Sequence, residues 1–323
     1  MTYQPIEKLK IANLPTPIQA LNSSLFANVD LYIKRDDLTE MELSGNKIRK
    51  LEYVMAHVLA HHYDSVITCG GLQSNHARAT AFLAAKLGLK CHLILATAET
   101  KCINGNYLMN QFAGAKIDYV PEIYFENESI NDYMIDYKNN LIKKGENPYI
   151  IPMGASDYIG NLGYIDCLKE IRDSAIPFDK IIVPVGSGGT YAGLLLGAKL
   201  YLPDVKIIGF NVRLKSDYFA DYILKIANQT IEHYDLGIEI HQSDIQIIDG
   251  YVGEGYGKAS KSQMAFLREF CQEQGMMLDA TYAGKCLYAL SEECNKGTFK
   301  GEKLLWIHTG GIFGIFGNPE YFY

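Results

Sequence analysis

The sequence predicts an α/β fold in which short buried strands alternate with helices. Runs rich in β-branched residues recur from about residue 31 onward. Stretches with helical spacing of apolar residues, or with helix-ending glycines, lie between these runs. Because parallel neighbours cannot be joined by a tight hairpin, the alternation favours mostly parallel sheets with crossover helices.

The first half of the chain supplies the clearest elements. Residues 48–59 place apolar side chains at spacings of three and four, which predicts a helix with one buried face. Residues 65–69 are typical of a buried strand, and two glycines follow them. Residues 76–87 are rich in Ala and Leu and stop at Gly88, which predicts a helix that ends on a left-handed glycine.

The remaining predicted elements continue the alternation. Strands are predicted at residues 91–95, 116–120, 149–152, 180–184, 205–210 and 303–307, and helices at residues 105–113 and 194–200. The polar stretch 122–147 is predicted to form helices rather than a linker, and the Gly- and Tyr-rich stretch 249–257 an ordered loop.

Composition narrows the class of protein. The chain has 323 residues, which suggests about two domains at roughly 150 residues each. Its 30 basic and 37 acidic residues give a net charge of −7, which argues against nucleic acid as a partner because phosphate binding needs clustered Lys and Arg. No apolar run approaches the ~20 residues that span a bilayer, so no membrane association is expected. The first residues lack the pattern of a signal peptide, so a cytoplasmic location is expected.

The seven cysteines predict neither disulfides nor a metal site. They are odd in number, widely scattered, and contain no Cys-x-x-Cys pair. His57 and His61 have the spacing of metal ligands on a helix, but the glutamate of the zinc-protease motif is absent. We therefore expect reduced, mostly buried thiols and no metal.

A small-residue loop at residues 184–193 follows a predicted strand and opens onto a helix. Such a loop presents free backbone N–H groups and the positive end of the helix dipole, which bind phosphate well. Tyr191 stands where a dinucleotide fingerprint needs glycine, and the Gly-Lys of a P-loop is missing. A phosphate monoester fits the loop best, while a tight turn without a ligand remains the alternative.

Two further segments could carry chemistry. Lys47 precedes the first helix beside Gly45 and near Lys50, and both the helix dipole and the second cation favour its neutral, nucleophilic form. A solvated basic turn is the alternative. In the segment 70–76, Ser74 could bind a carboxylate and Asn75 could donate to a phenolate oxygen, whereas His76 is either a base or, more commonly, structural.

Late in the chain, residues 307–311 end the last predicted strand, where ligands collect in open α/β sheets. Taken together, these motifs resemble pyridoxal-phosphate enzymes of the tryptophan synthase β-like class. Segments 44–52, 70–78, 255–257 and 278–285 narrow the resemblance to the family of D-cysteine desulfhydrases and 1-aminocyclopropane-1-carboxylate (ACC) deaminases. It covers almost the whole chain and implies two open, twisted, mostly parallel sheets flanked by helices (fold type II of these enzymes).

The resemblance also implies roles for single residues. Lys47 is expected to bind pyridoxal phosphate covalently and, once freed, to take the α-proton of the substrate. Ser74 is expected to bind the substrate carboxylate or assist proton transfer, and Tyr256 and Tyr282 to line the substrate pocket as acid or hydrogen-bonding groups. The other expected cofactor contacts are Asn75 at the ring hydroxyl, Thr309 at the pyridine nitrogen, and Lys50, Ser187, Gly188, Gly189 and Thr190 at the phosphate.

The resemblance favours D-cysteine as the substrate, converted to sulfide, pyruvate and ammonia by α,β-elimination. ACC deaminases carry Glu, and D-cysteine desulfhydrases usually Thr, after the tyrosine that corresponds to Tyr282, but this chain carries Ala283. The missing acid argues against opening of the ACC ring, and the neutral Thr309 favours prompt loss of a β-substituent. ACC deamination remains the alternative, and Ala283 also leaves open an inactive protein that binds an amino acid or phosphate.

The resemblance implies two domains and a homodimer. The larger, cofactor-binding domain is expected to comprise residues 1–49 and 159–323, with a small α/β domain at residues 50–158 inserted in it. A small amino acid is the expected partner.

Overall fold

Two sheets organise the part of the chain described by this computed structural model, which is residues 7–97, 102–126, 129–213 and 216–317. The strands are β1 Ile18–Ala20, β2 Asp30–Lys34, β3 Ser65–Gly71, β4 Lys90–Ala96, β5 Lys116–Val120, β6 Pro148–Ile150, β7 Lys180–Val185, β8 Lys206–Asn211, β9 Gln246–Ile248 and β10 Lys303–Ile307. One sheet has the order β1-β2-β10-β7-β8-β9 and the other β5-β4-β3-β6. Only β1 pairs antiparallel among these strands. The predicted α/β class with two mostly parallel sheets is confirmed.

Helices connect the parallel strands and cover the sheets. They are α1 Asn46–Ala60, α2 Asn75–Lys86, α3 Gly105–Phe112, α4 Ile123–Glu126, α5 Ile130–Lys143, α6 Leu162–Asp173, α7 Gly189–Tyr201, α8 Ser216–Tyr234, α9 Lys261–Gln274, α10 Ala283–Asn295 and α11 Ile312–Ile315. None of the described helices is long and apolar enough to cross a membrane. Each strand predicted with explicit bounds is present within two residues of those bounds. The stretch 122–147 contains two helices, as predicted, and Gly88 has φ 71° just after α2.

The helix α7 begins earlier than the sequence predicted. It starts at Gly189 rather than residue 194, so the small-residue loop is shorter than expected. The small residues are needed for packing, because a methyl group at Gly193 would lie 2.5 Å from the Asn161 carbonyl oxygen and one at Gly197 would lie 2.8 Å from Leu168 Cβ. These glycines let α7 pack closely on α6 and fix its first turn against the sheet.

The strands at the centre of the larger sheet are covered on both faces. In β10, the residues from Leu304 to Ile307 are all buried, and Trp306 has no exposed surface. A continuous apolar run of this kind is typical of a parallel strand between two layers of helices. Five of the seven cysteines are also buried, and all seven are free thiols, as expected.

The four-stranded sheet is built from residues 65–150 alone, within the segment predicted as the small domain. Residues on both sides of that segment supply the six-stranded sheet. Parallel strands present their carboxyl ends at one edge, where loops can form a ligand site. The sheets therefore bring loops from distant parts of the chain to one place.

Candidate active site

A cavity of about 620 Å³ lies where loops from both sheets meet. Its walls include the loops that follow β3, β7 and β10, which is the usual place for a ligand in an open α/β sheet. Most of the predicted site residues line it, namely Lys47, Ser74, Asn75, Ser187, Gly188, Thr190, Tyr256, Tyr282 and Thr309. Lys50 and Gly189 do not line it and lie behind the wall.

Lys47 lies at the second position of α1 and is partly exposed at the cavity wall. Its ammonium forms neither a hydrogen bond nor an ion pair with another described residue. Burial lowers the pKa of Lys47 to about 8, because the surrounding protein replaces water that would solvate the charge. A sizeable fraction of this amine is therefore neutral near physiological pH, as a nucleophile toward an aldehyde requires.

The first turn of α7 forms an anion cradle beside Lys47. Gly188 precedes the helix with φ 79°, a conformation that favours glycine, and no side chain caps the helix N-terminus. Hydroxyl groups surround the turn, because Ser156 Oγ donates to Ser187 Oγ at 2.9 Å and Asn46 Nδ2 donates to Thr190 Oγ1 at 2.9 Å. Backbone N–H groups and hydroxyls at a positive dipole end suit a phosphate group.

Lys50 supports this cradle from behind. Its ammonium donates to the Gly154 carbonyl oxygen at 2.5 Å and to Ser156 Oγ at 3.1 Å. A methyl group at Gly189 would lie 2.5 Å from Lys50 Nζ, so only glycine lets the loop approach the ammonium this closely. Burial and the nearby charge of Lys47 hold the pKa of Lys50 well below its usual value. An anion in the cradle would stabilise the charged form of Lys50.

Asn75 and Thr309 present polar groups to the same cavity. Asn106 Nδ2 donates to Asn75 Oδ1 at 2.8 Å, which leaves the Asn75 Nδ2 group as a donor without a partner among the described residues. Gly311 approaches that group so closely that an added methyl would lie 2.8 Å from Asn75 Nδ2. The Thr309 hydroxyl also has no described partner, while its carbonyl oxygen accepts from Asn46 N at 3.1 Å. One amide donor and one neutral hydroxyl therefore remain available to a ligand.

Ser74 and His76 differ in how their side chains are used. Ser74 caps α2, because its Oγ accepts from Ala77 N at 3.1 Å, and its own hydroxyl proton remains free to donate. His76 Nε2 contacts Thr68 Oγ1 at 2.9 Å inside the protein. Burial, with the charges of Lys47 and Lys50, holds the pKa of His76 well below its usual value. This neutral, buried imidazole fits the predicted structural role better than that of a base.

Tyr256 and Tyr282 line the same cavity as the anion cradle, and their hydroxyl groups share a short hydrogen bond. Burial and the neighbouring Tyr256 raise the pKa of Tyr282 well above its usual value, so its hydroxyl keeps its proton. Asp279 holds the backbone of Tyr282 in place, since its carboxylate accepts from Thr281 N, Tyr282 N and Ala283 N at 2.7–2.9 Å. Burial raises the pKa of Asp279 to about 6. A protonated phenol is therefore fixed at the cavity wall.

Three residues near the cavity were not predicted from the sequence. Asp279 caps α10, and Lys285 donates from α10 to the carbonyl oxygens of Val252 and Gly255, both at 2.6 Å, on the loop that carries Tyr256. Arg213 lines the cavity just beyond β8. Its position after the carboxyl end of a strand was a usable signal. Asp279 bonds to backbone N–H groups within four residues, so an Asp just before a helix was also a usable signal, whereas the contacts of Lys285 depend on tertiary structure.

The combined donor set fits pyridoxal phosphate. The cradle at α7 accommodates a phosphate monoester, Lys47 supplies an amine without a partner, and Asn75 supplies a donor for a phenolate oxygen. Gly186 lets the Tyr282 ring pack directly against the loop that follows β7, since a methyl there would lie 2.7 Å from Tyr282 Cε1. Few other ligands combine an aldehyde, a phosphate and a phenolate oxygen.

Comparisons with known proteins agree with this fit. The family model described as "Pyridoxal-phosphate dependent enzyme" matches residues 9–310. A bifunctional D-cysteine desulfhydrase/ACC deaminase of Arabidopsis thaliana is 37% identical, with 98% of this chain and 81% of that protein covered. A putative ACC deaminase of Thermotoga maritima is 40% identical over 97% of this chain and 99% of its own length.

Comparison with solved structures also finds similarity to this group of enzymes. The structure of an ACC deaminase homologue superposes with a TM-score of 0.87 and 34% identity, covering 97% of this chain and 94% of that one. The chain therefore belongs to the family of pyridoxal-phosphate dependent enzymes and, within it, to the lyases of the D-cysteine desulfhydrase and ACC deaminase group.

Proposed function

We propose that this chain is a D-cysteine desulfhydrase, which converts D-cysteine and water to sulfide, pyruvate and ammonia. The observation that carries the choice over ACC is the lack of a buried carboxylate among the described cavity-lining residues. Ala283, directly after Tyr282, is buried behind the wall and offers no carboxylate, and Thr309 on the wall contributes only a hydroxyl. The acidic residues among the described cavity-lining residues are Glu122 and Glu254, and both are exposed.

Bound pyridoxal phosphate supplies an electron sink for the electrons released when the Cα–H bond breaks. We propose that Lys47 holds the cofactor covalently and that the cradle of Ser187, Gly188, Gly189 and Thr190, backed by Lys50, holds its phosphate. Asn75 would supply a donor for its ring oxygen, and Thr309 would supply a neutral hydroxyl for its pyridine nitrogen. The unpartnered donors at Lys47 and Asn75 support these assignments.

Three side chains are suited to bind the substrate, remove its α-proton and stabilise the leaving group. Ser74 lies at the N-terminus of α2 with a free hydroxyl proton, so it suits the α-carboxylate of the substrate. Lys47, whose pKa lies near 8, is suited to take the α-proton. Tyr282, which stays protonated and is hydrogen-bonded to Tyr256, is suited to donate a hydrogen bond to the departing sulfur.

Parallel assays of the holoenzyme test the proposal. D-cysteine should yield equal amounts of sulfide and pyruvate, with a higher kcat/KM than L-cysteine, and ACC should yield 2-oxobutyrate more slowly. Faster turnover of ACC, or no preference for the D-form, would overturn the assignment.

Lys47→Ala should lower kcat by at least ~10³-fold, since a positioned acid or base commonly contributes 10²–10⁴-fold. The exposed Lys296→Ala is the matched control and should leave kcat unchanged.

We also propose a homodimer formed through an apolar surface next to the active site. Met41 is 74% exposed, Phe112 is 83% exposed, and Leu108, Ile312 and Phe316 are exposed near them. The helices α3 and α11 pack together, and Arg78 joins the Met41 loop to α11 through Glu42 O and the Phe313 ring. Exposed apolar patches of this kind commonly mark protein interfaces. Light scattering should give a dimer that Phe112→Asp weakens, and a monomeric parent protein would contradict this.

We propose a small domain at residues 50–158 inserted into a larger one, supported by the four-stranded sheet that this segment forms. Limited proteolysis should leave the four strands of this sheet in one resistant fragment, and cleavage inside β3 or β4 would contradict the proposal. A cytoplasmic location is supported by seven free thiols, and cell fractionation tests it.

A further inference from the structure

Arg213 crosses the cavity from one sheet to the other. It follows β8 of the six-stranded sheet, and its guanidinium Nη2 donates to the Phe125 carbonyl oxygen at 3.1 Å. Nη1 lies 3.8 Å from Met153 Sδ, and Cζ lies 5.7 Å from the centre of the Tyr256 ring. Phe125 and Met153 follow strands of the four-stranded sheet. The guanidinium therefore stands beside the proposed catalytic tyrosines, facing the space left for a substrate side chain.

The charge of this guanidinium is not compensated by the described residues. Arg35, Arg49 and Arg172 each form an ion pair with a carboxylate. Arg213 instead contacts a neutral carbonyl and a thioether, which is a weak acceptor. The acidic residues on the described cavity wall, Glu122 and Glu254, form no ion pair with it and are more exposed than it is.

We infer that Arg213 is a specificity-determining residue that binds a negatively charged group on the β-carbon of the substrate. This inference rests on the proposed lyase function and names its substrate class. An anion would replace the carbonyl and thioether with charge-assisted hydrogen bonds, which are roughly twice as strong as neutral ones. The planar fork of a guanidinium suits a carboxylate in particular.

The group bound by Arg213 has the same chemistry in two kinds of substrate. With D-cysteine it is the sulfur, which becomes negatively charged as it leaves with the electron pair of the broken Cβ–S bond as hydrosulfide. With a larger D-cysteine thioether it is a carboxylate beyond the sulfur. In both cases one water is consumed, and the products are the thiol, pyruvate and ammonia. ACC has no charged group other than its α-carboxylate and ammonium, so Arg213 gives it no advantage.

A matched pair of substrates tests the inference with the holoenzyme. S-carboxymethyl-D-cysteine and S-carbamoylmethyl-D-cysteine have nearly the same shape, but only the first is anionic. We expect the parent enzyme to favour the anionic member in kcat/KM by about tenfold or more, as is typical for a hydrogen bond to a charged group. Arg213→Gln should bring the ratio close to one, while Arg213→Lys should keep part of the preference. Uniform loss with both substrates and an unchanged ratio would overturn the inference, because a structural bridge predicts that result.

An equilibrium measurement separates this inference from the proposed function. Calorimetric titration of the holoenzyme should show D-aspartate binding at least about tenfold more tightly than D-asparagine, a preference that Arg213→Gln removes. Equal affinities in the parent enzyme would overturn the inference whatever the variants do. If no D-cysteine derivative is turned over but D-aspartate is still preferred, the lyase assignment fails and the anion subsite stands.

Discussion

The first helix carries buried cations on two sides, and the two sides are built in opposite ways. On one side, Arg49 forms ion pairs with Asp36 at 2.8 Å and with Glu170 at 2.7 Å. On the other side, Lys47 and Lys50 have no carboxylate within ion-pair distance among the described residues. Three cations within four positions of one helix therefore lie in two different electrostatic environments.

The pKa values follow this division. Burial opposes the charge of Arg49, but its neighbours, Asp36 foremost, outweigh burial and raise its pKa well above the usual value. Burial lowers the pKa of both Lys47 and Lys50. A buried cation with carboxylate partners is already satisfied and holds the fold together. Lys47 and Lys50 lack such partners, so their charge is compensated only when a ligand supplies a negative group.

The largest effect is expected from Arg49→Met, which removes the central cation of the paired side. Asp36 would remain buried without its main partner, and loss of one member of a buried pair typically costs about 3–5 kcal/mol. Urea titration should show this loss in the free energy of unfolding. Arg172→Met, at the exposed pair with Asp173, is the matched control and should change it by less than about 1 kcal/mol. Similar losses in the two variants would remove the contrast.

Lys47→Met should act in the opposite direction on the protein freed of cofactor. The unfolded chain holds the lysine proton up to a pKa near 10.5, whereas the folded protein releases it near 8. Between these values the unfolded state binds more protons, so the free energy of unfolding rises with pH. Below pH 8 the full penalty is present, and Lys47→Met should be more stable by about 3 kcal/mol. The difference should shrink toward pH 10, and a constant or inverted difference would contradict the assigned environment.

Lys50→Met should weaken cofactor binding rather than folding. Loss of a charge that supports the phosphate cradle should raise the Kd for pyridoxal phosphate by about 10–100-fold. Pyridoxal, which lacks the phosphate, is the control ligand, and its affinity should change little. Equal weakening of both ligands, measured by equilibrium dialysis, would show that Lys50 does not act through the phosphate.

The smallest effect is expected from Lys34→Met on the paired side. Lys34 Nζ contacts Glu170 Oε2 at 2.8 Å and the Thr16 carbonyl oxygen at 3.1 Å. Because Glu170 keeps its bonds to Arg49, the free energy of unfolding should fall by only about 1 kcal/mol. A loss as large as that of Arg49→Met would mean that Lys34, not Arg49, is central to this side.

The fold could be predicted from the sequence because its strands are buried and regular. Strand β10 has the predicted bounds because its buried apolar run is short. Strand β5 also has them, although only Val120 is buried, because apolar and polar residues alternate along it. The strands β1 and β9 were not predicted, because three residues carry no periodicity. The helix α8 was also missed, although Phe219, Ile223 and Ile226 have the helical spacing that would have predicted it.

The candidate site was predicted in part. Motif residues such as Lys47, Ser74 and Thr309 could be found because their loops follow strands or begin helices. The opposite environments of Arg49 and Lys47 could not be predicted, because Asp36 and Glu170 reach Arg49 only through tertiary structure. A binding role for Arg213 could not be predicted either, because it depends on the lack of a carboxylate partner among the described residues, which only the tertiary structure shows.

The most direct test is to locate the covalent bond between the protein and its cofactor. Borohydride reduction of the holoenzyme, followed by digestion and peptide mass spectrometry, should place a pyridoxyl group on Lys47. Lys50 and Lys285 are internal controls, because burial lowers the pKa of each of these amines as well. A label on either of them, or no label at all, would contradict the assignment of Lys47.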